Sequence, residues 1–168
     1  MAISYSLELV TPWSTAQVAQ ALTDVARSLR LVDDTATVDG SPTVDALLDD
    51  GVLTVYGTWL RVAARKPTPW GDPEIGGRVF TPTVSVVFRL GKDADVSGQQ
   101  DDMTRIADGL LARVPGDAVL HLDYEDVWLV RRDGELSLSE RSDFWPPNRL
   151  AGISTPYRRE NHEFVDEE

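Results

Sequence analysis

SGQQDDMTRIADGLLARVPGDAVLHLDYEDVWLVRRDGELSLSERSDFWPP, residues Ser97 to Pro147, decides the fold of this chain. Met103, Ile106, Ala107, Leu110, Leu111 and Val114 recur at helical spacing, so one face of a helix is apolar. Ser97 and Gln100 have the spacing of a capping box, and Pro115-Gly116 is a stop signal. Ala118 to Leu122 then reads as a strand, Asp123-Tyr124-Glu125 as a turn and Val127 to Arg131 as its return. Asp133-Gly134 between apolar runs signals a tight hairpin into a last strand, Glu135 to Ser139. Beyond Ser139 the pattern predicts irregular chain, with Phe144 to Pro147 docked over the core as a rigid lid. Almost every apolar residue in the stretch is used for packing, and no reactive constellation is left over.

Working outward, TPTVSVVFRL just before it places Val84, Val86, Phe88 and Leu90 on one face of the clearest strand. Residues 66–79 hold three prolines and three glycines, a density that continues neither helix nor strand, with Trp70 inside the loop. Val52 to Ala64 favours strand, with Gly57 marking a bulge or bend. Residues 33–51 read as a short strand or irregular loop. At the amino-terminal side Ile3, Tyr5, Leu7 and Leu9 alternate with Ser4, Ser6 and Glu8, the pattern of a half-buried strand. Ser14 and Gln17 form a capping box, Trp13 can staple onto Val18, and Val18, Ala21, Leu22, Val25, Ala26 and Leu29 line one face of a helix ending near Leu31.

ISYSLELV followed by a capped helix echoes TVSVVFRL followed by a capped helix. Two such units predict an α+β fold: an antiparallel sheet of about six strands with two amphipathic helices packed on one face. The length suits a single domain over residues 1–168, with an irregular lid at 140–158 and a frayed acidic tail at 159–168.

The formal net charge of −12 repels phosphate backbones, which disfavours nucleic-acid binding and favours basic partners or plain solubility. With no cysteine, disulfides and thiolate chemistry are excluded, and a reducing compartment fits. The start MAISYSLELVTPW lacks a basic region and a long apolar run. A secretory signal is not expected there, and no stretch reaches the ~20 apolar residues of a membrane helix. The expected location is the cytoplasm, away from membranes.

His121, Asp123 and Glu125 alternate, so one strand face could present all three to a metal; the turn placed at Asp123 to Glu125 would splay them apart. His162 lies far off in the tail. No nucleophile elbow, P-loop or dinucleotide fingerprint is present, and no catalytic, cofactor or metal residue is assigned. Asp101 and Asp102 are read at the start of the second helix, where carboxylates suit its dipole, and Glu125 and Asp126 as hairpin-turn acids. Of five tryptophans, Trp13, Trp59 and Trp128 read as core, while Trp70 and Trp145 lie beside prolines in irregular chain and either plug the sheet ends or anchor a partner. The candidate partner-binding residues are therefore Trp70, Asp101, Asp102, Glu125, Asp126 and Trp145.

The run TPTVSVVFRL, then DDMTRIADGLLARVPGDAVLHLDYEDVWLVRRDGEL, then WPPNRL, with a looser match at ISYSLEL, resembles the Sit-type immunity proteins of bacterial polymorphic toxin systems. The resemblance implies neutralisation of a cognate toxin by direct binding, without catalysis and without a cofactor; an acidic inhibitor suits a basic toxin. It transfers no site residues. A cytoplasmic scaffold or homo-oligomer, and an enzyme with a site near His121, are the alternatives.

Overall fold

The computed structural model describes residues 3–32, 43–65, 74–75, 78–93, 95–122 and 124–164. The strand of the amino-terminal segment, β1 (Ile3–Val10), lies in the middle of a sheet. On one side it pairs antiparallel with β6 (Val84–Leu90), with Leu7 opposite Val86. On its other side is β7 (Asp117–Leu122), with Leu7 opposite Leu120. Beyond β6 come β3 (Trp59–Ala64) and the two-residue edge strand β2 (Val52–Leu53). Beyond β7 come β8 (Asp126–Arg132), β9 (Glu135–Leu138) and β10 (Tyr157–Arg159). β10 pairs parallel with β9; the other ladders are antiparallel. The sheet thus has eight strands where about six are expected, because β2 and β10 are too short to show as periodic runs. A separate ribbon, β4 (Glu74–Ile75) with β5 (Arg78–Val79), falls inside the proline- and glycine-rich segment read as loop.

Two amphipathic helices, α1 (Thr15–Ser28) and α3 (Val96–Leu111), cover one face of this sheet, as the repeated strand–helix pattern predicts. The capping box of α1 forms: Ser14 Oγ accepts from Gln17 N at 3.2 Å, and Gln17 Oε1 accepts from Ser14 N at 2.8 Å. Its last helical residue is Ser28, slightly before the expected Leu31, and Arg30 follows with φ 59°. On α3 the expected face is buried in full: Met103, Ile106, Ala107, Leu110 and Leu111, with Val114 just beyond, pack into the main core. The start of α3 differs from the expectation. Asp95 occupies the N-cap position without a side-chain cap hydrogen bond, so Ser97 already lies inside the helix and no capping box forms with Gln100. Residues 43–48, expected as strand or loop, form the short helix α2 (Thr43–Leu48), fixed by burial of Leu47.

Asp133 and Gly134 take positive φ values of 54° and 81°, the conformation of a two-residue hairpin whose twist matches its strands. One irregularity between β7 and β8 redirects a side chain. The register shifts at Leu120/His121, so Trp128 and Leu129 both join the helix-side core while Val127 and Val130 lie in a second apolar cluster. That cluster, with Val119, Ile75 and Phe80, covers the opposite face. β1 is therefore covered on both faces, and Glu8, read as solvent-facing, is only 3% exposed.

The lid is more ordered than its composition suggests. Phe144 stacks on Trp128 with ring centroids 4.4 Å apart and planes at 11°, and α4 (Pro147–Leu150) follows. Of the tail expected to fray, residues 159–164 are tied down, and residues 165–168 lie outside the described residues. Glu160 N donates to Leu138 O at 2.9 Å, and Phe164 forms a β-bridge with Ile75.

Candidate partner-binding surface

The five candidate residues that fall among the described ones stand in different settings. Asp101 lies in the second turn of α3, since the helix begins at Val96, and its dipole role is replaced by an ion pair. Arg149 Nε sits 2.7 Å from Asp101 Oδ1, and the arginine side chain is almost wholly buried. Arg149 also donates to Phe144 O at 2.5 Å and to Ser97 O at 3.2 Å, which bolts the lid to α3. Asp102 lines a groove with Tyr56, Leu29, Leu31 and Asp95. Burial pushes its carboxyl above the ordinary range, against the lowering effect of Arg105. Glu125 is exposed at the β7–β8 turn, and Asp126 pairs with Arg141 at 3.1 Å. Trp145 is 1% exposed and donates its indole N–H to Trp128 O at 2.9 Å, so it belongs to the core and is not presented to a partner. Trp70 lies outside the described residues. Trp128 is core as expected, whereas Trp13 is half-buried at its margin and Trp59, also half-buried, lies against Arg89 and Asp50.

His121 finds an acid, but from a strand distant in sequence. Ser6 is its direct β1 partner, and the neighbouring Glu8 brings Oε1 to 3.5 Å from His121 Nε2. Tyr124, in the left-handed region at φ 58°, donates its hydroxyl to Glu8 Oε1 at 3.2 Å. The Tyr124 hydroxyl in turn accepts from Arg65, whose Nε lies 3.3 Å from Glu8 Oε2. His121 Nδ1 accepts from Tyr124 N at 3.1 Å, which leaves the ring hydrogen on Nε2 towards Glu8. Burial, followed by the Glu8 charge, pushes the Tyr124 phenol up to about 12. Phe164 closes over this group, with its ring centroid 5.3 Å from His121 and 5.2 Å from Tyr124. The histidine's acceptor nitrogen is occupied by backbone and its other nitrogen faces a 3%-exposed carboxylate. The cluster neutralises a buried charge and locks the β7–β8 turn onto β1. Of the two residues that alternate with His121, Glu125 is not drawn in, and Asp123 lies outside the described residues. Among the described residues no group of three or more metal-ligating side chains is assembled, and no helix is long and apolar enough to cross a membrane.

Val79, at 63%, is exposed singly on β5, whereas three exposed apolar residues stand together at the β2–β3 turn. Leu53, Val55 and Tyr56 are 65%, 60% and 61% exposed. The sequence favours strand over Val52 to Ala64 with a bulge or bend at Gly57, and in the structure Gly57, at φ 94°, lies in the turn that separates β2 from β3.

The chain carries an antiparallel α+β scaffold with a charge-neutralised interior and an apolar turn on its surface. The model of the SitI3-like family matches residues 3–149, and the chain belongs to that family. The match runs from β1 to Arg149, and so includes the residue that anchors the lid. No curated protein and no solved structure matches the chain.

Proposed function

We propose that this protein neutralises a cognate toxin by binding it directly in the cytoplasm, without catalysing a reaction. The observation that carries the reading is membership of the SitI3-like family across nearly the whole folded chain. The net charge of −12 supports a basic toxin as the partner, because complementary charge speeds encounter and is screened by salt. The packing of His121 and Glu8, both nearly solvent-free, against Tyr124, Arg65 and the Phe164 ring supports a structural role for these side chains. The test is to identify the product of the adjacent reading frame and co-express it with this protein. Growth should be restored by this protein, and purified toxin and protein should form a complex whose association slows as salt is added. Failure of protection and of binding together would overturn the reading. Turnover of a small substrate lost on His121→Ala would replace it with an enzymatic one.

A further inference from the structure

Scattered single apolar residues are ordinary on a protein surface, but Leu53, Val55 and Tyr56 stand within four positions of one another. The turn that holds them is rigid. Thr54 N donates to Thr58 O at 2.8 Å, Gly57 N to Thr54 O at 3.1 Å, and Val55 N to Leu31 O at 2.9 Å. Thr58 N donates to Thr54 Oγ1 at 3.1 Å. Thr58 Oγ1 then donates to Gln99 Oε1 at 2.9 Å, and the Gln99 amide, 1% exposed, also holds both backbone polar groups of Gly91. The apolar side chains are thus displayed from a frame fixed to the end of α1, to α3 and to the end of β6. A surface ordered in advance loses less entropy when it docks.

Beside the turn, Tyr56 walls the groove that contains Asp95 and Asp102. Asp101 in the same groove is committed to Arg149, and Arg105 lines the groove and acts on Asp102. Asp95 makes no cap hydrogen bond, and Asp102 is partly desolvated, so both carboxylates gain from an incoming cation. Asp49 and Asp50, both exposed, precede β2 on the approach to the turn.

We propose that the Leu53–Tyr56 turn, together with Asp95 and Asp102, is the surface that docks the toxin, and that it fits a cationic protein face with an apolar recess beside its lysines or arginines. Val55 and Tyr56 enter the recess, and the carboxylates of α3 flank it. This assignment rests on the reading of the protein as a toxin-binding inhibitor.

The experiment uses the full chain and the purified product of the adjacent reading frame. Tyr56→Ala and Val55→Asp should each weaken the complex by about tenfold or more, as central interface residues do. Their unfolding midpoints should match the unmodified protein, because these side chains are exposed. The double change Asp95→Asn with Asp102→Asn should slow association and flatten its salt dependence. Arg158→Ala, on the opposite sheet edge, should leave binding unchanged. If the unmodified protein binds while the Tyr56 and Val55 variants bind equally well, the surface is wrong and toxin binding stands. If the unmodified protein does not bind, the functional reading fails and this surface with it. If sedimentation shows a dimer that Tyr56→Ala dissociates without affecting the toxin complex, the turn is a self-association surface and the proposal is overturned.

Discussion

Arg149 and Asp101 meet at 2.7 Å although they lie 48 positions apart, and that contact joins the lid to the middle of α3. The guanidinium also stands 5.3 Å from the Phe144 ring centroid. One side chain therefore satisfies a carboxylate, two backbone carbonyls and an aromatic face. Arg149→Ala would strand these groups and is expected to cost about 3 kcal/mol, measured by chemical denaturation. Arg149→Lys should recover little, because an ammonium cannot reproduce the planar fork. A loss below about 1 kcal/mol for Arg149→Ala would show that water replaces the bolt.

Leu110 is fully buried on the core face of α3. Leu110→Ala should cost about 2–5 kcal/mol through lost transfer energy and the cavity left behind. Urea unfolding followed by circular dichroism would measure it.

Two glycines with positive φ separate steric contact from backbone strain. A Cβ on Gly116 would lie 1.8 Å from Val10 O, whereas one on Gly134 meets nothing within 4 Å. Gly134→Ala should cost only the left-handed strain, about 1–2 kcal/mol. Gly116→Ala must also push β1 away from the α3–β7 connection and should cost about 3 kcal/mol or more. Equal melting points for the two variants would contradict this packing.

The Tyr124 phenol has its pKa raised from 10.0 to about 12, so the fold prefers the neutral form. Its contribution to stability is complete below pH 10 and is lost as pH rises from 10 through 12. Tyr124→Phe removes that ionisation, and its stability should fall less steeply across the same window. Tyr5, also raised by burial, keeps a residual slope in both proteins. Parallel alkaline unfolding curves for the two proteins would show that the hydroxyl does not titrate against Glu8.

Local signals were read reliably where one segment contains its own answer. The α3 face, the Asp133–Gly134 turn and the Ser14–Gln17 box are short-range patterns, and the structure reproduces each. The Ser97–Gln100 pattern failed because Asp95 starts the helix earlier, and a capping box works only at the actual N-cap. Glu8 was misplaced because alternation reveals two faces but not whether both are covered. The ribbon containing Ile75 and the closing Phe164 cover the second face, and neither is local to β1. The polar cluster at His121 is not legible locally: the acids that alternate with it, Asp123 and Glu125, read as splayed by a turn, and the acid it meets comes from β1 through strand order. Asp101 was picked out for its charge, while its partner Arg149 lay hidden in the irregular lid.

The placement of β1 between β6 and β7 has a consequence for synthesis on the ribosome. The strand emerges early, but its neighbours arrive only after Val84 and Asp117 have been translated. Until then Leu7 and Leu9 have no ladder to join, and the nascent chain must hold its future seam open. Removal of β1 would divide the finished sheet into two unconnected halves, so proteolytic loss of that strand should inactivate the molecule.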